Sequence, residues 1–510
     1  MIADAYHSPG KKIFQMLSVK KMFPAGIYCP GKSGKGASTC KKEEKNAFNF
    51  RKRLYITQIF VFFEIGFGAL PRNGNEEIFP MSEVKVGIIG FGTVGAGTAA
   101  CLLKNREIVR KRTGVDVKLA RVADLDITTD RGVDVPREIL ITDAKQLIRE
   151  CDIVVELIGG TTVAKTFILE ALSQGKPVVT ANKALLAKAG KEIFEAAEAN
   201  HVAVHYEASV GGGIPIIKSL REGFSANRIN RIYGILNGTC NYILTRMEQE
   251  NMAFDDVLKD AQRLGYAEAN PSLDIDGLDT AHKTAILASL AYGEWFGMDP
   301  VFVEGIRNLS LTDIRFAEHL GYKVKLLAIL KQAEDGRIEV RVHPTLIPAG
   351  KPLAGVSGVF NAVMVNGDFV GDTMFYGRGA GREATASAVS ADVVDAALDL
   401  VNKVPTRIHS FLPGAEYSGL IPMDEVETRV YMRIPVQDKP GVLGKVATLL
   451  SSFGISVAEL MQSSPDEAGN VSIILLSHMA REKNVQSAMT ELAKLPEVTG
   501  NVVMIRMEDL

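Results

Sequence analysis

Residues 84–89 read V-K-V-G-I-I, an apolar run of strand length that breaks directly into glycines at Gly90, Gly92 and Gly95. A small-residue stretch over 96–111 fits a helix, and a second apolar run follows at 117–123. Further apolar runs at 152–158, 177–180 and 201–206 are separated by helix-length stretches at 162–174 and 184–200. Nearly continuous apolar strands alternating with helices predict a doubly wound parallel sheet, a Rossmann α/β domain. The pattern then changes. Runs at 232–236, 324–330, 338–343 and 362–365 predict a mainly antiparallel sheet in a second, α+β domain. Residues 371–381 are glycine-rich, and 383–401 predicts a helix that returns to the first domain. Pro405, Pro413 and Pro422 mark a linker. Beyond it, strand, helix, strand, strand, helix, strand at 430–434, 442–453, 456–461, 470–476, 483–493 and 500–506 give the ferredoxin-like βαββαβ order, a unit that reads as self-contained.

Length and charge add limits. A chain of 510 residues suits three or so domains. The net charge of −2 argues against a nucleic-acid partner. The first eighty residues differ, with 13 Lys+Arg against 6 Asp+Glu. Residues 55–70 are apolar but contain Glu64, and they fall short of the ~20 residues a membrane span needs. They also lie too far in for a secretory signal. Residues 1–80 are therefore expected to be a disordered leader or an upstream mis-start, with folded chain beginning near Met81 and no membrane partner. The cysteines, Cys29, Cys40, Cys101, Cys151 and Cys240, are odd in number and lack a CxxC spacing, which points to a reducing compartment, the cytoplasm, and to no zinc site.

Candidate chemistry falls at the breaks between elements. Gly90, Phe91, Gly92, Thr93, Val94 and Gly95 form G-x-G-x-x-G between a strand and a helix, where glycines allow a pyrophosphate to approach the helix N-terminus. Asp124 ends the second strand, where an acid would bind a ribose diol and favour NAD; Arg121 and Arg131 are near enough to accept a 2′-phosphate, so NAD and NADP both stay open. Asn182 and Lys183 end another strand on the ligand-binding edge. Glu207 leads into three glycines, a loop that could cradle phosphate, ligate a hard cation or act as a hinge. Residues 237–241 bring small polar groups, either pocket lining or a helix cap.

The densest stretch is 265–283. It carries Glu268, Asp274, Asp276 and Asp279, with no Lys or Arg until Lys283. A helix is expected after Gly277, with Asp276 as its N-cap and Asp279 on the same face as Lys283. Residues 284–291 are apolar or small nearly all round, so that helix should be buried. A lysine entering it needs a carboxylate partner or a shifted pKa. This reads as an amine-handling site with an acid/base lysine; the plainer alternative is a polar loop and a cap.

In order, 155–160 (V-E-L-I-G-G), 180–183 (T-A-N-K), 207–215 (E-A-S-V-G-G-G-I-P), 236–239 (L-N-G-T) and 265–283 together resemble the monofunctional bacterial homoserine dehydrogenases with a C-terminal ACT domain. The resemblance implies reversible NAD(P)-dependent interconversion of L-homoserine and L-aspartate 4-semialdehyde in threonine, methionine and isoleucine biosynthesis. It implies Lys283 as acid/base, Lys183 against substrate and nicotinamide, and Asp279 setting up the site. Glu268 and Asp274 would bind the homoserine ammonium, Thr239 and Gly238 would line the pocket, and Gly381 would touch cofactor. Glu207 with the carbonyls of Val210, Gly212 and Ile214 would hold a monovalent cation, Na+ or K+. Asp438, Gly441, Val442 and Leu443 would form an effector turn, for threonine first, in a homodimer or homotetramer. The implied layout is a cofactor domain at 81–208 completed by a helix at 382–403, a substrate and dimerisation domain at 209–381, a linker at 404–427 and an ACT domain at 428–510. The rivals are a Rossmann reductase using Cys240 as nucleophile and a non-catalytic amino-acid sensor.

Overall fold

The computed structural model describes residues 82–404, 406–409, 419–465, 467 and 469–510; the leader and part of the linker lie outside the described residues. β1 (Glu83–Ile89), β2 (Asp116–Ala123), β3 (Leu140–Ile141), β4 (Ile153–Glu156), β5 (Val178–Thr180) and β6 (Val204–His205) form one sheet in the order β3-β2-β1-β4-β5-β6. All its neighbours are parallel. Their mid-strand residues Val86, Ile88, Val154 and Val155 are fully buried, as both faces of a doubly wound sheet require. Helices α1 (Thr93–Thr113), α2 (Ala144–Glu150), α3 (Val163–Ser173) and α4 (Lys183–Ala199) make the crossovers. Chain order reverses between β1 and β4, so ligands belong at the carboxyl ends of those strands. The last strand is shorter than its apolar run, because His201 takes a left-handed turn (φ 55) after α4.

The second sheet has eleven strands, with β12-β11-β7-β9-β10-β17-β13-β15-β14 as its main path. Its first part holds β7 (Ile229–Ile235), α5 (Gly238–Glu250), α6 (Phe254–Arg263), α7 (Leu278–Tyr292), β8 (Phe302–Val303), α8 (Leu311–His319), β9 (Tyr322–Gln332), β10 (Ile338–Pro348), β11 (Phe360–Gly367) and β12 (Gly371–Arg378). The glycine-rich stretch is thus a strand for most of its length. It pairs with β11 from Gly371 to Arg378 and alternates half-buried and exposed side chains along an outer edge. Helix α9 (Arg382–Val401) does return to the first domain: a Cβ on Gly97 of α1 would come 2.9 Å from the Arg382 carbonyl oxygen.

The C-terminal segment has the expected order: β13 (Glu427–Gln437), α10 (Val442–Ser452), β14 (Val457–Gln462), β15 (Asn470–Ser477), a short β16 (Ala480–Arg481), α11 (Glu482–Leu492) and β17 (Val503–Met507). It has its own core around Val430, Val446, Leu450 and Val485. It is not self-contained, however. β17 pairs in parallel with β10, Thr345 opposite Arg506 and Leu346 opposite Met507, so the sheet runs through from the second domain. Buried ion pairs close this seam: Arg341 with Glu508 at 2.6 Å, and Arg433 with Asp313 at 2.6 Å. No helix among the described residues is long and apolar enough to cross a membrane.

Candidate active site

Helix α7 begins on Gly277, whose left-handed conformation (φ 85) turns the chain out of the acidic loop. Asp276 therefore does not cap it. That carboxylate instead receives the guanidinium of Arg307 at 2.9 and 3.0 Å. Asp279 and Lys283 fall one turn apart on the same helix face, both buried, with Lys283 Nζ 2.7 Å from Asp279 Oδ2. Lys283 Nζ also donates to the Leu236 carbonyl at the end of β7, at 2.6 Å. The other oxygen of Asp279 meets Lys183 Nζ at 3.1 Å. Lys183 is the first residue of α4, directly after β5 and the Asn182 cap, so the strand-end lysine of the parallel sheet and the helix lysine of the second domain converge on one carboxylate. Burial works against a charged Asp279, but the Lys283 and Lys183 ammoniums and the bonds from Lys283 and Asn237 outweigh it and hold its pKa far below the usual carboxylate range.

Asn237 organises the acids; the sequence left it open between pocket lining and a helix cap. It does cap α5, accepting the Cys240 N–H at 2.8 Å. Its Nδ2 also donates to Asp274 Oδ1 at 2.7 Å and Asp279 Oδ2 at 2.9 Å. Local spacing signals the cap alone; the bridge spans 37 and 42 residues of chain. Asp274 is pushed up from the ordinary range by burial, against the Asn237 bond and with help from the Asp279 charge. Gly238 and Thr239 open α5 beside it. Gly238 admits no Cβ, which would lie 2.7 Å from the Val359 carbonyl oxygen, and the Thr239 hydroxyl donates to the Tyr266 carbonyl at 2.6 Å. Glu268 does not join the cluster; it is exposed on the loop after Tyr266.

At the parallel sheet, Gly90 (φ 102) and Gly95 make the close turn: a Cβ on Gly95 would stand 1.9 Å from the Gly90 oxygen. Gly92 caps α1 with open space where its Cβ would point, and Thr93 and Val94 form the first turn. The backbone N–H groups there have room for a pyrophosphate. Asp124 accepts the N–H groups of Phe91 and Asp126, holding the glycine loop against the end of β2. Of the two arginines, Arg121 is paired with Glu150 and Arg131 with Asp126. Glu156, fully buried at the end of β4, holds the next turn through the Ile158 and Gly159 N–H groups and the Thr180 hydroxyl. Gly381 (φ 131) caps α9, and the adjoining Arg382 donates to the Arg131 carbonyl at 2.9 Å.

Glu207 caps the short helix after its loop, accepting the Ile217 and Lys218 N–H groups at 2.9 and 2.7 Å. Gly211 and Gly212 take positive φ (73 and 56), and among the described residues no backbone N–H claims the Val210 or Gly212 carbonyl, whereas that of Ile214 accepts from Ile216. In the C-terminal domain Gly441 (φ 89) starts α10, and Asp438, Gly441, Val442 and Leu443 line a cleft of about 470 Å³ with Gln462 and Ile473. Cys240 is fully buried, its thiol pushed well up by burial and bonded to the Asp274 carbonyl, so it is no nucleophile.

Comparison with known proteins agrees with this geometry. The family models "Homoserine dehydrogenase, NAD binding domain", "Homoserine dehydrogenase" and "ACT domain" match residues 90–207, 215–394 and 430–497. The homoserine dehydrogenase of Pseudomonas aeruginosa is 46% identical over 436 residues, and that of Neisseria gonorrhoeae 45% over 437; each alignment covers 84% of this chain and all of the relative. The crystal structure of a homoserine dehydrogenase from Thiobacillus denitrificans superposes with a TM-score of 0.79 at 45% identity, over 84% of this chain and 99% of that one. The family models and relatives covering more than four fifths of the chain place it in the homoserine dehydrogenase family, NAD(P)-dependent oxidoreductases with an NAD-binding domain and here a C-terminal ACT domain.

Proposed function

We propose that Lys283 exchanges the proton of the reacting hydroxyl as L-homoserine and L-aspartate 4-semialdehyde interconvert, within threonine, methionine and isoleucine biosynthesis. The carrying observation is the number of donors on Lys283 Nζ. An ammonium has three, and two are taken by Asp279 and Leu236, leaving one for a substrate oxygen. Asp279 keeps both lysines aimed at that point, one oxygen to each. Lys183, half-buried at the sheet edge, faces substrate and nicotinamide together. The cofactor, held at Gly90–Gly95 beside Asp124 and Gly381, supplies or accepts the hydride. NAD and NADP both fit this reading.

Asp274 is the inner candidate for the homoserine ammonium, and Glu268 the outer one. Because the Asp274 pKa is raised, it protonates at a higher pH than an ordinary aspartate, and its attraction for an ammonium fades as pH drops through that value. The KM for homoserine should therefore climb on the acid side. Asp274→Asn should raise KM at neutral pH roughly tenfold, the worth of one charged hydrogen bond, and flatten that climb. If Glu268→Gln produces this pattern and Asp274→Asn does not, the ammonium sits at the outer carboxylate.

A monovalent cation, Na+ or K+, is proposed at Glu207 and the carbonyls of Val210, Gly212 and Ile214, a set of oxygen donors with two unclaimed carbonyls. A thermal midpoint equal in K+ and in tetramethylammonium would remove it. The effector reading, L-threonine at the Asp438–Leu443 turn, rests on the open cleft beside α10. Following NAD(P)H absorbance with homoserine, with and without threonine, tests activity, cofactor preference and feedback together; a turnover insensitive to threonine ends that effector assignment. Deleting 428–510 is a poor substitute, since it would strip β10 of a neighbour and leave buried Arg341 without Glu508. Among the described residues the outer strands β12 and β14 each leave one side unpaired, consistent with a homodimer or homotetramer, which light scattering would read.

A further inference from the structure

A buried charge joins the C-terminal sheet to the loop that carries Asp274. Arg506 in β17 is 2% exposed, and its guanidinium lies 5.0 Å from the Phe302 ring centroid. Its Nε and Nη2 donate to Glu482 of the same domain at 3.0 and 2.6 Å. The remaining arm, Nη1, crosses to Glu304 Oε2 at 2.7 Å. Glu304 follows β8 directly, and its N–H is fixed to the Val342 carbonyl of β10 at 2.8 Å. The next three residues grip the substrate loop. A Cβ on Gly305 would stand 2.2 Å from the Ile275 carbonyl oxygen, so the two backbones touch. The Ile306 N–H donates to that same oxygen at 2.8 Å, and Arg307 holds Asp276. Ile275 and Asp276 immediately follow Asp274, whose carboxylate is bonded on its other side by Asn237.

We infer that Arg506 is a positioning residue for substrate binding, acting through Glu304 and the backbone of residues 304–307 on the loop that presents Asp274. The inference rests on the reading that Asp274 receives the homoserine ammonium. It gives the C-terminal domain a part in basal substrate affinity, whether or not an effector is bound. Arg506 is itself a poor variant, because its removal would strand buried Glu482. Glu304 is the better one: its side chain is 43% exposed, so trimming it buries no new charge and leaves the Arg506–Glu482 pair intact.

Glu304→Ala, Asp274→Asn and the double variant of the full chain test the route by steady-state kinetics. Glu304→Ala should raise the homoserine KM roughly three- to tenfold, the range for substitutions along a coupling route, with cofactor KM and thermal midpoint near wild type. In the double variant, Glu304→Ala should add little to Asp274→Asn, because both act at one carboxylate. An unchanged homoserine KM in Glu304→Ala overturns the inference. So does a parallel rise in cofactor KM, which marks general loosening, or full additivity in the double variant. If Asp274→Asn alone leaves KM untouched, the ammonium reading fails first and takes the route with it.

Discussion

Lys283→Ala should fold and bind cofactor with near-normal affinity, yet turn over about a hundred- to ten-thousandfold more slowly, the usual worth of a positioned acid/base group. Folding should survive because the lost ammonium is not the sole partner of Asp279. Lys183 and Asn237 still hold that carboxylate, so no buried charge is left alone. Cofactor affinity should survive because the glycine turn at Gly90–Gly95 is built on β1, β2 and α1, none of which contacts Lys283 through a hydrogen bond. What disappears is the third N–H of Lys283, the donor proposed for the substrate oxygen. Near-wild-type turnover in a folded Lys283→Ala enzyme would move the proton transfer elsewhere, with Lys183 as the next group to replace.

The two halves of this site differed in how far the sequence exposed them. The glycine turn was readable because its chemistry is local: Gly90, Gly92 and Gly95 must meet one another within six residues, and apolar runs on both sides set the strand and the helix. The pairing of Asp279 with Lys283 was readable for the same reason, being one helical turn. Asn237 shows where this stops. Its cap on Cys240 is local, but the two bonds that order the acids reach across 37 and 42 residues, and nothing in the spacing signals them. Asp276 fails in the opposite direction: placed well for a cap, it is drawn to Arg307, 31 residues on, and Gly277 turns the chain in its place. The residues at 371–378 were obscured by their glycines and by three consecutive large side chains, Met374, Phe375 and Tyr376, which show no polar alternation although their burial alternates in the strand. The union of β17 with β10 is a tertiary choice between two good strands, and each strand alone looks complete.

Asp279→Asn should be the most damaging single change in the site, because it removes the one anion that two lysines share. Turnover should fall at least as far as in Lys283→Ala, since both amines lose their common anchor. Stability should fall too. Lys283 would remain buried with the Leu236 carbonyl but no anion, and removing one partner of a buried pair costs roughly 3–5 kcal/mol. The pH dependence gives this prediction its sign. In the wild type the Asp279 pKa is depressed, so its contribution is fully present above the unfolded aspartate value near ~3.9 and is lost as pH falls through the lower folded value. Across neutral and mildly acid pH the wild-type pair is therefore constant. The variant lacks that titrating carboxylate, so the stability deficit should stay constant from neutral to mildly acid pH and narrow only as pH falls below about 4. Thermal midpoints of both proteins from about pH 3 to pH 8 read this directly. A gap that already closes at mildly acid pH, or that widens as pH falls, would mean that the Asp279 charge does not stabilise the fold; a midpoint and turnover equal to wild type would remove Asp279 from the site altogether.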